Sequence, residues 1–222
     1  MNFSKLRNII FTSISFQSLS SLKIQKYVVG ILSTNCYVVS CLRTKDAIII
    51  DPGFDAAHEA EQIFRYVDEH ALKILFVVNT HGHSDHTLGD KTLDRKYGVP
   101  ICIHSFDVHC LDGLGLNLES DIFLLEEEAP LKFGRVALKV MHTPGHTPGS
   151  VSLVGDNLVF TGDTLFSEGI GRTDFPEGSY GDMKSSLKKL MCLPDSYVLY
   201  PGHGDSSTIG DERRLNPFLR WL

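Results

Sequence analysis

Apolar and polar positions alternate along this chain in two rhythms. Residues 23–29 and 35–40 are rich in Val, Ile and Tyr and predict strands, and 47–50 is a third, ended by the turn Asp51-Pro52-Gly53. Over 55–70 the spacing lengthens: Ala56, Ala60, Ile63, Phe64 and Val67 recur as on one face of a helix. Residues 74–78 are apolar without a break, the pattern of a strand covered on both sides, and they run directly into Thr80-His81-Gly82-His83. A helix is predicted over 87–97, stopped by Gly98 and Pro100, followed by a strand at 101–103. Neither rhythm holds over 105–130, where Glu126-Glu127-Glu128 reads as a solvated acidic run. Short strands at 131–133, 137–141, 151–154 and 158–160 then alternate with turn residues, as in a meander. A helix over 179–190 places Met183, Leu187 and Leu190 on one side, and a last strand at 197–200 leads into Pro201-Gly202-His203-Gly204. No repeat or linker divides the sequence. The expectation is a mixed α/β (α+β) domain over 22–222 with strand clusters and helices in both halves.

Residues 1–21 stand apart. They are Ser-rich and acid-free, with an apolar patch over 9–16. They read as a flexible extension, with organellar targeting as the alternative. The net charge is −6, and the first 26 residues carry Lys5, Arg7, Lys23 and Lys26 but no acid, so the body is more acidic than the total. An acidic body disfavours nucleic acid as a partner, since that affinity rests on Lys and Arg. No apolar run reaches the ~18 residues of a membrane span. The five cysteines form no C-x-x-C pair, which predicts free thiols and a reducing, cytoplasmic setting. The oligomeric state is open.

Four Gly-containing turns, each following an apolar strand, carry the candidate chemistry. The first holds His81, His83, Asp85 and His86, and the second is Thr143-Pro144-Gly145-His146-Thr147. The third ends Phe160-Thr161-Gly162-Asp163, and the fourth carries His203. Turns at strand ends let distant residues converge on one sheet edge. Imidazole and carboxylate suit zinc, iron or manganese. Seven donors exceed the needs of one tetrahedral ion and fit two divalent ions, zinc foremost, sharing a carboxylate ~3.5–4 Å apart. His58, His70, His104 and His109 read as ordinary surface or core histidines, and His142 as a neighbour of the site rather than a ligand.

The order H-x-H-x-D-H, then His, Asp and His, resembles the metallo-β-lactamase superfamily from about Leu22 onward. The resemblance implies an αββα sandwich of two mixed sheets flanked by helices. It implies that His81, His83 and His146 hold one ion, that Asp85, His86 and His203 hold the other, and that Asp163 bridges. Asp51 would support a ligand from behind. Lactamases of this family place Cys where Asp163 stands and do not use the His after the motif Asp, which disfavours antibiotic hydrolysis here. Gly169-Ile170-Gly171-Arg172-Thr173-Asp174-Phe175 and the tail from Thr208 to Pro217 look like the glyoxalase II-like group, in its short single-domain form. That resemblance implies hydrolysis of a small acylated thiol, similar to S-lactoylglutathione, by a metal-bridging hydroxide. Asp85 would orient the nucleophile, and Arg172 and Tyr180 would contact substrate; an ion pair with Asp174 is the alternative for Arg172. Two other readings accompany it. One is persulfide dioxygenation at a single iron held by His81, His146 and Asp163. The other is a non-catalytic metal-bound binding module, which the complete ligand set disfavours.

Overall fold

The computed structural model describes residues 22–116, 118–220 and 222. The readings of 1–21 as a flexible extension or a targeting segment lie outside the described residues.

The strands assemble as two six-stranded sheets. The first runs β1 (Leu22–Val29), β2 (Thr34–Cys41), β3 (Asp46–Ile50), β4 (Lys73–Val78), β5 (Ile101–His104) and β6 (Ile122–Leu125), in that spatial order. Its first three strands are antiparallel, and β3 to β6 are parallel. The second contains β7 (Pro130–Phe133), β8 (Val136–His142), β9 (Val151–Gly155), β10 (Leu158–Gly162), β13 (Val198–Pro201) and β14 (Ser207–Thr208), in the order β14-β13-β10-β9-β8-β7. It is antiparallel except where β10 meets β13. A small hairpin pairs β11 (Leu165–Phe166) with β12 (Gly169–Ile170).

Side chains of a strand point alternately to its two faces, so each sheet can feed two apolar layers. Tyr37, Val39, Ile48 and Ile50 face the other sheet and meet Phe133, Leu138, Leu153 and Phe160. Val38, Ile49 and Val77 face outward, under α1 (Ala57–Glu69), α3 (Asp90–Tyr97) and α4 (Val108–Gly113), which contribute Ala60, Ile63, Val67, Leu93 and Leu111. On the far side Val159 and Leu199 pack beneath α5 (Tyr180–Leu190) and α6 (Ile209–Leu215), through Met183, Leu187, Leu190 and Ile209. The result is the αββα sandwich, with three apolar seams between four layers.

The structure alters three sequence expectations. The helix predicted over 87–97 is two pieces, α2 (Ser84–Thr87) and α3. The chain is pinned between them, where Gly89 N donates to Pro52 O at 2.7 Å. The segment 105–130 is ordered by contacts that no local pattern announces. Asp94 accepts hydrogen bonds from Glu119 N and Ser120 N and directs the chain into β6, an edge strand with Ile122, Phe123 and Leu124 exposed. The tail after β13 forms β14 and α6, where Thr208 caps the helix by accepting from Asp211 N at 3.0 Å. The acidic run is a surface patch as expected, with Glu128 paired to Lys139 at 2.8 Å and Glu127 to Lys189 at 3.3 Å.

Phe160 is 1 % exposed and lies against Tyr37 and Tyr200 in the central seam. Phe160→Ala should therefore cost about 3–5 kcal/mol of stability. Val28→Ala, on an exposed site of β1, should fall within about 0.5 kcal/mol of the parent. Urea unfolding midpoints check both.

Candidate metal centre

Strands β8, β10 and β13 end at the same edge of their sheet, and β4 ends opposite them, so the four ligand turns meet there. His81, His83 and His146 form one group: His81 Nε2 is 3.1 Å from His83 Nδ1, which is 2.8 Å from His146 Nε2. Asp85, His86 and His203 form a second: His203 Nε2 lies 3.3 Å from both His86 Nε2 and Asp85 Oδ2. Asp163 stands between them. Its Oδ1 is 3.4 Å from His86 Nε2, and its Oδ2 is 3.5 Å from both His146 Nε2 and His203 Nε2. All seven sequence-predicted ligands thus converge.

The turns reach this geometry by close approach of backbone. Gly162 ends β10 in a left-handed conformation, φ 49°, and a Cβ there would collide with Thr80. A Cβ on Gly202 would strike Asp163 Oδ1. The Pro-Gly-His-Gly turn is stitched across to the first sheet, because Asn35 Nδ2 and Tyr37 Oη both donate to Pro201 O.

These residues fit divalent cations on three counts. First, donor separations of 2.8–3.6 Å match the ~3.3 Å edge of a tetrahedron built on metal–nitrogen bonds of about 2.0–2.1 Å. Second, the outward ring nitrogens of His146 and His203 are committed. His146 Nδ1 donates to Arg172 O at 2.8 Å, and His203 Nδ1 to Leu32 O at 3.1 Å. Carbonyl oxygens only accept, so the inward Nε2 of each neutral ring carries a lone pair. Third, Asp163 Oδ1 is buried without a hydrogen bond among the described residues, although Asp163 clusters with His81 of one group and His86 of the other.

The electrostatics divide the centre. Burial and the facing imidazoles, His86 and His146 foremost, drive the pKa of His81 well down. His83 is lowered likewise by burial and by His146. Burial also opposes charge on His86, yet Asp51 and Asp163 raise its pKa well above the usual histidine range. Asp163 stays below the usual carboxylate range despite its burial, because His86, His203 and His146 face it. Lowered proton affinity on His81 and His83 and a field that stabilises positive charge at His86 both suit cation binding.

Asp51 lies behind the ligands. It accepts from Thr80 N at 2.7 Å and Thr80 Oγ1 at 2.8 Å, and its Oδ2 is 3.1 Å from His86 Nδ1. Asp107 does comparable work and escaped sequence reasoning, since nothing in the unpatterned segment distinguishes it. Fully buried, it accepts from Gly82 N at 2.8 Å, Thr147 Oγ1 at 2.7 Å and Gly149 N at 2.7 Å. One carboxylate thereby clamps the H-x-H turn to the His146 turn.

Arg172 is exposed and forms a two-pronged pair with Asp174, both bonds at 2.9 Å, while its guanidinium lies 4.2 Å over the Phe175 ring. Its backbone carbonyl, rather than its side chain, touches the centre through His146. Phe175 meets His83 and His146 edge-on. Tyr180 is 56 % exposed at the start of α5. His142 is no ligand: it stacks on His104 and its Nε2 donates to Pro148 O.

The profile of the metallo-beta-lactamase superfamily matches residues 29–203. Hydroxyacylglutathione hydrolase GloC of Haemophilus influenzae is 38% identical over 190 residues, covering 79% of this chain and 88% of the relative. The mitochondrial persulfide dioxygenase ETHE1 of Mus musculus is 35% identical over 193 residues, covering 84% and 71%. Among solved structures, the B3 metallo-beta-lactamase BLEG-1 superposes with a TM-score of 0.79 at 32% identity, covering 89% of this chain and 100% of its own. TTHA1623, solved in a di-iron-bound form, gives 0.76 at 31%, covering 88% and 100%.

Two substitutions test the arrangement. Asp51→Asn keeps a residue type that tolerates the left-handed backbone at this position, φ 51°, but removes the charge behind His86. It should weaken metal affinity about 10–100-fold with the fold intact, read by competition with a chelator. Asp163→Ala should lower metal content more than His203→Ala, because Asp163 faces both donor groups. Equal loss of one ion from each variant, by elemental analysis, would refute that.

Proposed function

This chain belongs to the metallo-beta-lactamase superfamily, and from that premise we propose that it is a thioester hydrolase of the hydroxyacylglutathione hydrolase type. The observation that carries the reading is the second donor group. Asp85, His86 and His203 converge at 3.3–3.6 Å as a second set beside His81, His83 and His146, and both groups face Asp163. A single-iron dioxygenase needs only His81, His146 and Asp163. A hydrolase using a clamped water benefits from both groups. The similarity to GloC supports the same reading.

His81, His83 and His146 on one side and Asp85, His86 and His203 on the other, with Asp163 between, would hold two divalent cations, zinc foremost, which would supply Lewis acidity for the carbonyl oxygen and bring the pKa of water towards neutrality. The chain's own groups do the rest. Asp85 Oδ2, steadied by Thr34 Oγ1 at 3.2 Å, is placed to orient the attacking water by accepting its hydrogen. Asp163 fixes the spacing between the two donor groups. A cleft of about 360 Å³, lined by His83, Ser84, Cys110, Leu114, Phe175 and Pro176, opens beside the first group. It offers an apolar wall to part of the thiol carrier. Arg172 stands at its rim with Phe175, and because its pair with Asp174 is fully exposed it holds that partner weakly. An incoming carboxylate can take Asp174's place, with Tyr180 as a further contact.

The similarity to ETHE1 makes persulfide dioxygenation the second reading, and that to BLEG-1 makes β-lactam hydrolysis a necessary control. One combined experiment separates them. The purified protein should carry about two ions per chain and cleave S-lactoylglutathione to a free thiol without consuming oxygen. About one iron per chain with persulfide-dependent oxygen uptake would replace the hydrolase by the dioxygenase. Turnover of a β-lactam in preference to the thioester would replace it by a lactamase.

A further inference from the structure

The sequence gives His109 no role beyond that of an ordinary surface histidine, and Cys110 none beyond that of a free thiol. The fold gives them a common partner. His109 and Cys110 are consecutive on α4, and across the cleft mouth the loop after Phe175 presents Glu177. His109 Nε2 is 3.3 Å from Glu177 Oε1, Cys110 Sγ is 3.7 Å from His109 Nε2, and the three donor atoms lie within 4.8 Å of one another. None of the three belongs to the buried centre. Cys110 and Glu177 line the same cleft as His83, and Cys110 packs against Gly82, the residue between His81 and His83.

We propose that His109, Cys110 and Glu177 form an auxiliary site for a borderline-soft divalent cation, zinc foremost, at the mouth of this cleft. The donor set of one imidazole, one thiolate and one carboxylate is that of a three-ligand zinc site with an open fourth position. Edges of ~3.3–3.7 Å are expected from zinc–nitrogen, zinc–oxygen and zinc–sulfur bonds of about 2.0–2.3 Å; the two separations that involve His109 fall there, and the third is within 4.8 Å. A hard ion such as magnesium is excluded by the sulfur. On binding, a metal–sulfur bond forms, the Cys110 S–H bond breaks, and the proton leaves to solvent. Without the ion the thiol keeps its proton, since burial, Asp107 and Glu177 push its pKa up to about 11. An ion here ties α4 to the loop carrying Phe175 and narrows the way to His83, so occupancy inhibits whatever reaction the buried centre performs.

The buried centre contains no thiolate, which makes sulfur the diagnostic atom. Cobalt(II) titrated into the metal-loaded protein should give a thiolate-to-cobalt charge-transfer band that saturates at one added ion per chain. Cys110→Ser should abolish the band. His109→Ala and Glu177→Gln, both at exposed positions, should each weaken the titration about tenfold or more. Cys192→Ser, removing the exposed thiol far along the chain, should leave it unchanged. No band in the parent protein, a band unaffected by His109→Ala, or a band lost with Cys192→Ser would each overturn the site. None of these readouts depends on thioester turnover, so the auxiliary site and the hydrolase reading fail separately.

Discussion

Five imidazoles and two carboxylates share the space where the two sheets meet edge to edge, and their inward-facing atoms have little but one another for company. Burying that many polar atoms is costly unless each finds a partner. The outward nitrogens of His146 and His203 find theirs in the carbonyls of Arg172 and Leu32, and that of His86 lies 3.1 Å from the carboxylate of Asp51. The inward ones would find theirs in a bound cation. The same feature explains the divided electrostatics. His81 and His83, buried and facing other imidazoles, lose affinity for protons, while His86, wedged between Asp51 and Asp163, and His203, beside Asp85, gain it.

Holding such a cluster open demands fixed register between two sheets whose backbones meet at the Thr34–His203 bridge, where Asn35 N donates to Gly202 O, and where Val151 N donates to Thr80 O. Three devices supply it. Asn35 and Tyr37 of β2 grip Pro201 at the end of β13. Asp107 joins the turn after β4 to the turn after β8. Gly162 and Gly202 let backbones pass where a side chain would collide. Each device is polar or steric, and Tyr37, which belongs to the apolar central seam with Phe160, carries one of them on its hydroxyl. The apolar layers hold the sheets together, and these contacts set where one sheet's edge stops against the other's.

Legibility in the sequence followed the range of the forces involved. Strands such as 23–29, 35–40 and 47–50, and the helices at 55–70 and 179–190, were readable because alternating burial writes its period into local sequence. The candidate donors that the fold brings together were readable because H-x-H-x-D-H packs four of them into six residues, and three Gly-containing turns repeat the theme. What stayed hidden depends on partners far along the chain. β6 has exposed Ile122, Phe123 and Leu124, so no alternation betrays it, and its entry is set by Asp94. Asp107 is one aspartate among many until Gly82 and Thr147 are folded around it. Arg172 was read with two partners open, and the fold sets it against Asp174 and Phe175.

The tail motif shows how a recognisable sequence signature can act from a distance. Glu212 is buried and accepts from Glu168 N at 2.8 Å and from Ser207, while Asn216 Nδ2 donates to Gly169 O at 3.0 Å and to Glu212 at 2.9 Å. Together they anchor the β11–β12 hairpin to α6. That hairpin carries Phe166, whose ring meets His203 edge-on at 6.0 Å. None of the tail residues reaches a metal ligand, yet through the hairpin they fix the surface against which His203 turns inward. A buried carboxylate with three polar partners is specified far more narrowly than an apolar residue in the same place would be, because losing any partner leaves a desolvated charge. The tail is thus a structural part of the centre: its contribution is to hold one wall of it still.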